Sequence, residues 1–331
     1  MGYTEVTDVV VPARYAKYQQ KMTEQKSRLV EFGVLRRNPE IDAMMAGGGI
    51  TFNMPGWNDI PRTAANVSSG AAGTPATPIS LTTFREIGVR LSRNQSVGWT
   101  GLAKILAGSN PAEVIAARWA DYWADQAQVA ALAIGAGVFA DNAANDSGDM
   151  SVDIKGVSFV DGVTNFGAAP FVDAVGTMGD SHKALGLVCM HSTVAATARK
   201  NDLIDAIKDS ESGQVIERYQ GRLLIEDDGM PSPSSGVFET WIFGEGAFEW
   251  GVTVDDHPIE SYRLPLDAVG GGSEVVTTRV QWCIHPRGFA YTGSTADGEP
   301  VNGTLDNAGS WNRVAAERKQ VKMARLITRE F

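Results

Sequence analysis

The chain has 331 residues, 43 % of them hydrophobic, and a formal net charge of -10. That length allows one elaborated unit or two cores sharing a backbone. No run approaches the ~18 uninterrupted apolar residues of a membrane span, and Met1-Gly2-Tyr3-Thr4-Glu5 lacks the basic and apolar stretches of a secretory signal, so a cytosolic product is expected.

The charge is unevenly spread. Residues 1–37 hold seven Lys/Arg against four Asp/Glu and residues 311–331 six against two, whereas residues 141–310 hold ten against twenty-six. An acidic middle with basic ends favours contacts between copies over a groove that grips nucleic acid, although plain solvated surface fits the same numbers. Cys189 and Cys283 each sit in an apolar run and are expected as buried free thiols.

Residues 12–32 are helix-permissive, with Pro12 early and Gly33 where a helix end favours glycine. Only Tyr15, Met22 and Leu29 form an apolar stripe. Such a segment suits an arm lying on a neighbouring molecule; a terminal helix docked on its own domain fits the same residues. Extended stretches at residues 50–54 and 79–91 flank residues 62–78, which are almost wholly Thr, Ala, Ser, Gly, Pro and Asn and are expected to form a mobile tip. The result is a hairpin arm carrying Arg62, Arg85, Arg90 and Arg93, which either pair with an acidic neighbour or lie on their own domain.

Asn110-Pro111-Ala112-Glu113 joins a capping residue, proline at the first helical position and glutamate at the third. A long helix is expected from there. Ile115, Trp119, Tyr122, Gln126, Val129 and Ala133 recur at spacings of four and three, Trp119 and Trp123 are its anchors, and Gly135 and Gly137 are expected to end it. At ~1.5 Å per residue, roughly 25 residues give a spine of ~38 Å. Beyond a polar junction at 141–149 the elements shorten: helix at 171–185, strand at 186–190, helix at 192–203 with Ser192 as its cap, strand at 221–225, a turn at 227–231, then strands at 239–244 and 275–285. Helices and strands without a regular βαβ beat predict an α+β fold.

Catalytic and metal chemistry find little support. His182, His191, His257 and His285 show no metal-ligand spacing. The dinucleotide-like Gly135-Ala136-Gly137-Val138-Phe139-Ala140 follows a helix, where the pattern needs a preceding strand. His191-Ser192 places a base beside a hydroxyl but names no third member of a triad. Asp227, Asp228 and His257 are the least poor candidates for a soluble enzyme. No cofactor is expected.

The order of parts resembles the tailed-bacteriophage major capsid proteins of the HK-ninety-seven-like fold. The resemblance spans nearly the whole chain. It is carried by Trp99-Thr100-Gly101-Leu102-Ala103, the capped helix with Tyr122-Trp123, Met190-His191-Ser192, Lys200-Asn201-Asp202-Leu203, residues 219–228 (YQGRLLIEDD) and Trp241-Ile242-Phe243-Gly244-Glu245-Gly246-Ala247. It implies an N-terminal arm at 1–46, an extended loop at 47–98, a peripheral domain at 99–169 to which 291–331 return, and an axial domain at 170–290. It further implies pentamers and hexamers in an icosahedral shell around double-stranded DNA held without sequence-specific contacts, assembled in the host cytoplasm and carried in the virion. A separate scaffolding protein, a portal and decoration proteins are the implied partners, with no membrane. An encapsulin-type nanocompartment is the rival shell.

Overall fold

The computed structural model describes residues 33–331 except 59, 61, 62, 69–72, 74, 102–110, 209–214 and 297. In chain order, strand β1 (Leu35–Arg37) leads into helix α1 (Pro39–Ala46), capped by the Asn38 side chain accepting from the Glu40 amide. A two-stranded ribbon follows, β2 (Thr51–Trp57) with β3 (Thr83–Val89), and then β4 (Leu91–Thr100). The spine is α2 (Pro111–Asn145). Next come β5 (Ser151–Asp153), α3 (Ala168–Gly176), β6 (Leu185–Met190), α4 (Ser192–Lys200), β7 (Ile204–Lys208), β8 (Val215–Tyr219) and β9 (Arg222–Glu226). The chain closes through β10 (Val237–Gly244), β11 (Phe248–Thr253), β12 (Ile259–Leu264), β13 (Ser273–Pro286), β14 (Phe289–Tyr291), β15 (Trp311–Arg313) and β16 (Met323–Arg329).

Two sheets organise this mixed α+β architecture. In the smaller, the long β13 pairs with β11 and β12 on one side and with β4 on the other, and β1 joins parallel to β11. The larger runs β5-β16-β10-β6-β9-β8-β7. These pairings join segments far apart in the chain. Residues 273–282 of β13, expected in the axial part, bond to β4, and residues 323–329, expected to return to the peripheral part, lie between β5 and β10.

Helix α2 ties the sheets together. Near its start, Trp123 Nε1 donates to Thr278 Oγ1 of β13 (3.1 Å), and Trp119, Trp123, Trp282 and Trp250 form a ladder with ring centroids 5.7–6.1 Å apart. Near its end, Phe139 packs on Trp241 of the larger sheet. Its 35 residues span ~52 Å at ~1.5 Å per residue. Gly135 and Gly137 therefore do not stop it, contrary to the sequence expectation. They are interior residues whose missing side chains make room: a Cβ on Gly135 would lie 2.6 Å from the Trp241 ring, and one on Gly137 would strike the Leu305 carbonyl. The buried face also differs from the expected one, running through Trp119, Trp123, Ala127, Ala130, Ile134 and Val138, while Val129 is exposed. By length and composition Arg118–Asn145 is apolar enough to cross a bilayer, but 61 % of its most apolar stretch is buried inside the fold.

Smaller corrections follow the same logic. Ser192 is not the cap of α4; His191 is, its Nδ1 accepting from the Thr193 amide at 3.1 Å. The expected helix at 171–185 divides into α3 and a 3-10 turn at Gly179–Ala184. Both cysteines are buried thiols, and neither is in a disulfide.

Candidate functional site

The described residues offer no chemical centre. Among them no group of three or more His, Cys, Asp and Glu is placed to hold a metal ion. Asp227 and Asp228 occupy the turn after β9, where Asp227 accepts from the Gln128 side chain and from the Gly229 amide (2.8 Å). Asp228 Oδ1 accepts from the Ser192 amide (3.3 Å) and lies 3.7 Å from His191 Nε2. Hydrogen bonds from the Ser192 side chain and then its amide hold the Asp228 carboxyl below the usual carboxylate range. His257 belongs to the turn between β11 and β12 in the other sheet, on a groove of about 560 Å³ lined by residues 256–262, so the three enzyme candidates do not share a site.

What stands out instead is the ribbon β2–β3 and how firmly its root is held. Two strands alone are marginal. Here Phe52 and Met54 pack on Ile41, Met45 and Cys283. Glu86 on β3 meets buried His285 Nε2 (2.7 Å) and accepts from the Gly288 amide (3.0 Å). The Arg90 guanidinium donates to the Met45 carbonyl and to Gln281 Oε1 (3.5 Å), and Arg93 donates to the Pro300 carbonyl (2.6 Å). Burial lowers the Arg93 pKa while the Glu299 charge opposes it. Arg90 and Arg93 are thus turned back onto their own chain, which is the second of the two placements open from the sequence. Arg85 is exposed. Beyond the root, Trp57, Ile60, Val67, Ile79 and Leu81 are exposed apolar side chains.

Tyr15, Met22, Arg62 and Asn110 lie outside the described residues, as does the side chain of Glu113; α2 does begin at Pro111. Trp119 and Trp123 are buried in the ladder that fixes α2 to β13.

Comparison with known proteins decides the matter. Over 326 residues the chain is 32 % identical to the major capsid protein of Bacillus phage SPP1, and the match covers 96 % of each. This chain belongs to the major capsid proteins of tailed bacteriophages. As a capsid protein it is structural and not an enzyme, and the nanocompartment reading is not favoured. Among solved structures, the capsid of Ralstonia phage GP4 matches 92 % of this capsid protein and 90 % of its own chain, with a TM-score of 0.59 at 10 % identity. A chain from Mycobacterium phage Adephagia matches 84 % and 85 %, with a TM-score of 0.52 at 12 % identity. Both share the HK-ninety-seven-like fold. No family model matches the chain.

Sequence reasoning missed three links of this capsid protein, buried or partly buried. They are Glu86 with His285, Arg325 with Glu239 (3.1 Å), and Arg313 with Asp149 (2.8 Å). The signal was available for one of them, since Arg325 interrupts the apolar run Met323–Arg329, where a lone cation predicts a buried partner.

Proposed function

We propose that copies of this chain close into pentamers and hexamers that form an icosahedral head around double-stranded DNA. The observation that carries the reading is the full-length match to a phage major capsid protein. The ribbon supports it, because a rooted arm with exposed apolar residues gains free energy by lying on a neighbour. Arg85, with Arg62, Tyr15 and Met22, forms the contact set of the two arms, residues 1–46 and 47–98, apart from β1 and β4, which join the smaller sheet. The smaller sheet with the first half of α2 is the peripheral part, and the larger sheet with β16 is the axial part. Each contact is modest, and multivalent closure supplies the stability of the shell.

Assembly takes place in the host cytoplasm with a separate scaffolding protein, and a portal and decoration proteins complete the head. The acidic surface encloses DNA without gripping it, since phosphate binding needs clustered Lys/Arg. Expression of the chain with the other head proteins of its phage, followed by electron microscopy and sedimentation, should give closed particles in the megadalton range. Deleting residues 62–78 or 1–27 should leave folded subunits and abolish closed shells. A monomer or dimer under every condition overturns the reading.

A further inference from the structure

Residues 154–166 lead from β5 toward α3 as a loop whose backbone is tied down at both ends and at Val160. The Arg329 amide donates to the Thr164 carbonyl (2.8 Å) and Arg329 Nε to the Lys155 carbonyl (3.0 Å), so one residue of β16 holds both ends. The Phe166 amide donates to Glu330 Oε1 (3.1 Å), and Phe166 itself is buried against Phe171 and Tyr219. Inside the loop the Val163 and Thr164 amides return to the Val160 carbonyl (3.1 and 2.9 Å), and Thr164 Oγ1 accepts from the Val160 amide (2.9 Å). A Cβ on Gly156 would sit 3.2 Å from Thr164 Cγ2, which brings the two limbs into contact.

This loop turns its apolar side chains outward. Val157 is 99 % exposed, Val163 63 %, Val160 47 % and Phe159 41 %. The charges around them are already satisfied: Lys155 pairs with Asp153 (2.7 Å), and Asp161 accepts from Asn165 Nδ2 (3.1 Å). A surface that spends its polar groups internally and fixes apolar ones toward water is preorganised for a dry contact, with little ordering entropy left to lose. Nucleic acid would need free cations here, and Lys155 and Arg329 are both engaged within the chain.

We infer that the loop of residues 156–163 is a docking surface for a second copy of this chain, with Val157, Phe159, Val160 and Val163 as its contact. A copy is the occupant because capsid proteins of this family assemble with themselves, and because the loop adjoins β5, the edge strand of the larger sheet. The inference rests on the shell-forming reading above.

The test compares wild type with Val157→Glu/Val163→Glu and with the near-isosteric Val157→Thr/Val163→Thr, each expressed with the other head proteins. Absence of wild-type shells would fail the proposed function rather than this inference. Given wild-type shells, the glutamate pair should fold with an unchanged melting temperature yet lose at least about tenfold in shell yield, and the threonine pair should retain most of it. Wild-type yield from the glutamate pair overturns the inference. So does a normal shell that has only lost another bound protein, because the occupant is then not a copy. Hydroxyl-radical footprinting of the unmodified protein settles the case in which the glutamate pair misfolds. Val157, Phe159 and Val160 should be labelled several-fold less in shells than in dissociated subunits, and equal labelling overturns the inference.

Discussion

Alanine in place of Gly137 should destabilise the subunit, although helix propensity predicts the opposite. In an exposed helix the exchange gains about 1 kcal/mol. Here the new methyl would meet the Leu305 carbonyl, with Trp311 Nε1 at 2.7 Å and Cδ1 at 2.8 Å. Trp311 is itself fixed, because Nε1 donates to that same carbonyl at 2.7 Å. Overpacking of this kind costs about 1–3 kcal/mol. Displacing Trp311 leaves a buried donor without its acceptor, for a further ~1–3 kcal/mol. With the propensity gain subtracted, the net loss is about 1–5 kcal/mol. Gly176, exposed in α3 with open space where its Cβ would stand, is the matched control and should gain up to ~1 kcal/mol as alanine. Gly135→Ala, whose new methyl would meet the Trp241 side chain and not a backbone carbonyl, should fall between wild type and Gly137→Ala. Urea midpoints of the unassembled subunit rank the four proteins, and Gly137→Ala at or above wild type refutes the reasoning.

Removing the Glu239 carboxylate strands buried Arg325 and takes the acceptor from Trp241 Nε1 (2.8 Å), so Glu239→Ala should cost about 3–5 kcal/mol in urea unfolding, whereas Glu239→Leu with Arg325→Met should recover most of it. Burial pushes the Asp141 carboxyl above the usual carboxylate range, the Asn145 hydrogen bond opposes this and the Asp146 charge adds to it. The folded state therefore holds the Asp141 proton more tightly. The stability it contributes is full below the ordinary carboxylate pKa of about 4 and is lost as pH rises through the folded value. Asp141→Asn should thus gain on wild type as pH is raised from acid to neutral; a gain that shrinks with pH contradicts the assignment. The Cys283 thiol is pushed up to about 12, chiefly by burial, so maleimide at mildly alkaline pH should leave it unmodified until urea unfolds the subunit, as read by intact mass.

Sequence made the strands of the larger sheet legible because Leu187-Val188-Cys189-Met190 and Trp241-Ile242-Phe243 are apolar on both faces, as buried strands are. It misjudged α2 because glycine ends helices for one reason, its backbone freedom, and enters them for another, its lack of a Cβ; the second depends on Trp241 and Leu305, more than a hundred residues away in sequence. The face of α2 was misplaced because alanines at 127 and 130 carry much of its contact, and they weigh little beside Val129 in a periodicity count. Strand β12 was missed because nearly all of it is exposed, leaving no alternation to read. Arg90 and Arg93 were legible as charges, but nothing local showed that their acceptors are the carbonyls of Met45 and Pro300.

The position of β16 has a consequence in time. Strand β5 reaches the larger sheet only through β16, and 170 residues separate Asp153 from Met323. At ribosomal rates of about 5–20 residues per second that interval lasts about 9–34 s. Until Arg329 has been made, the hydrogen bonds to the Lys155 and Thr164 carbonyls that hold the two ends of the loop together are missing. A nascent chain therefore lacks this surface while it is still tethered near its siblings on a polysome, and the order of synthesis itself delays sticking until the subunit is finished.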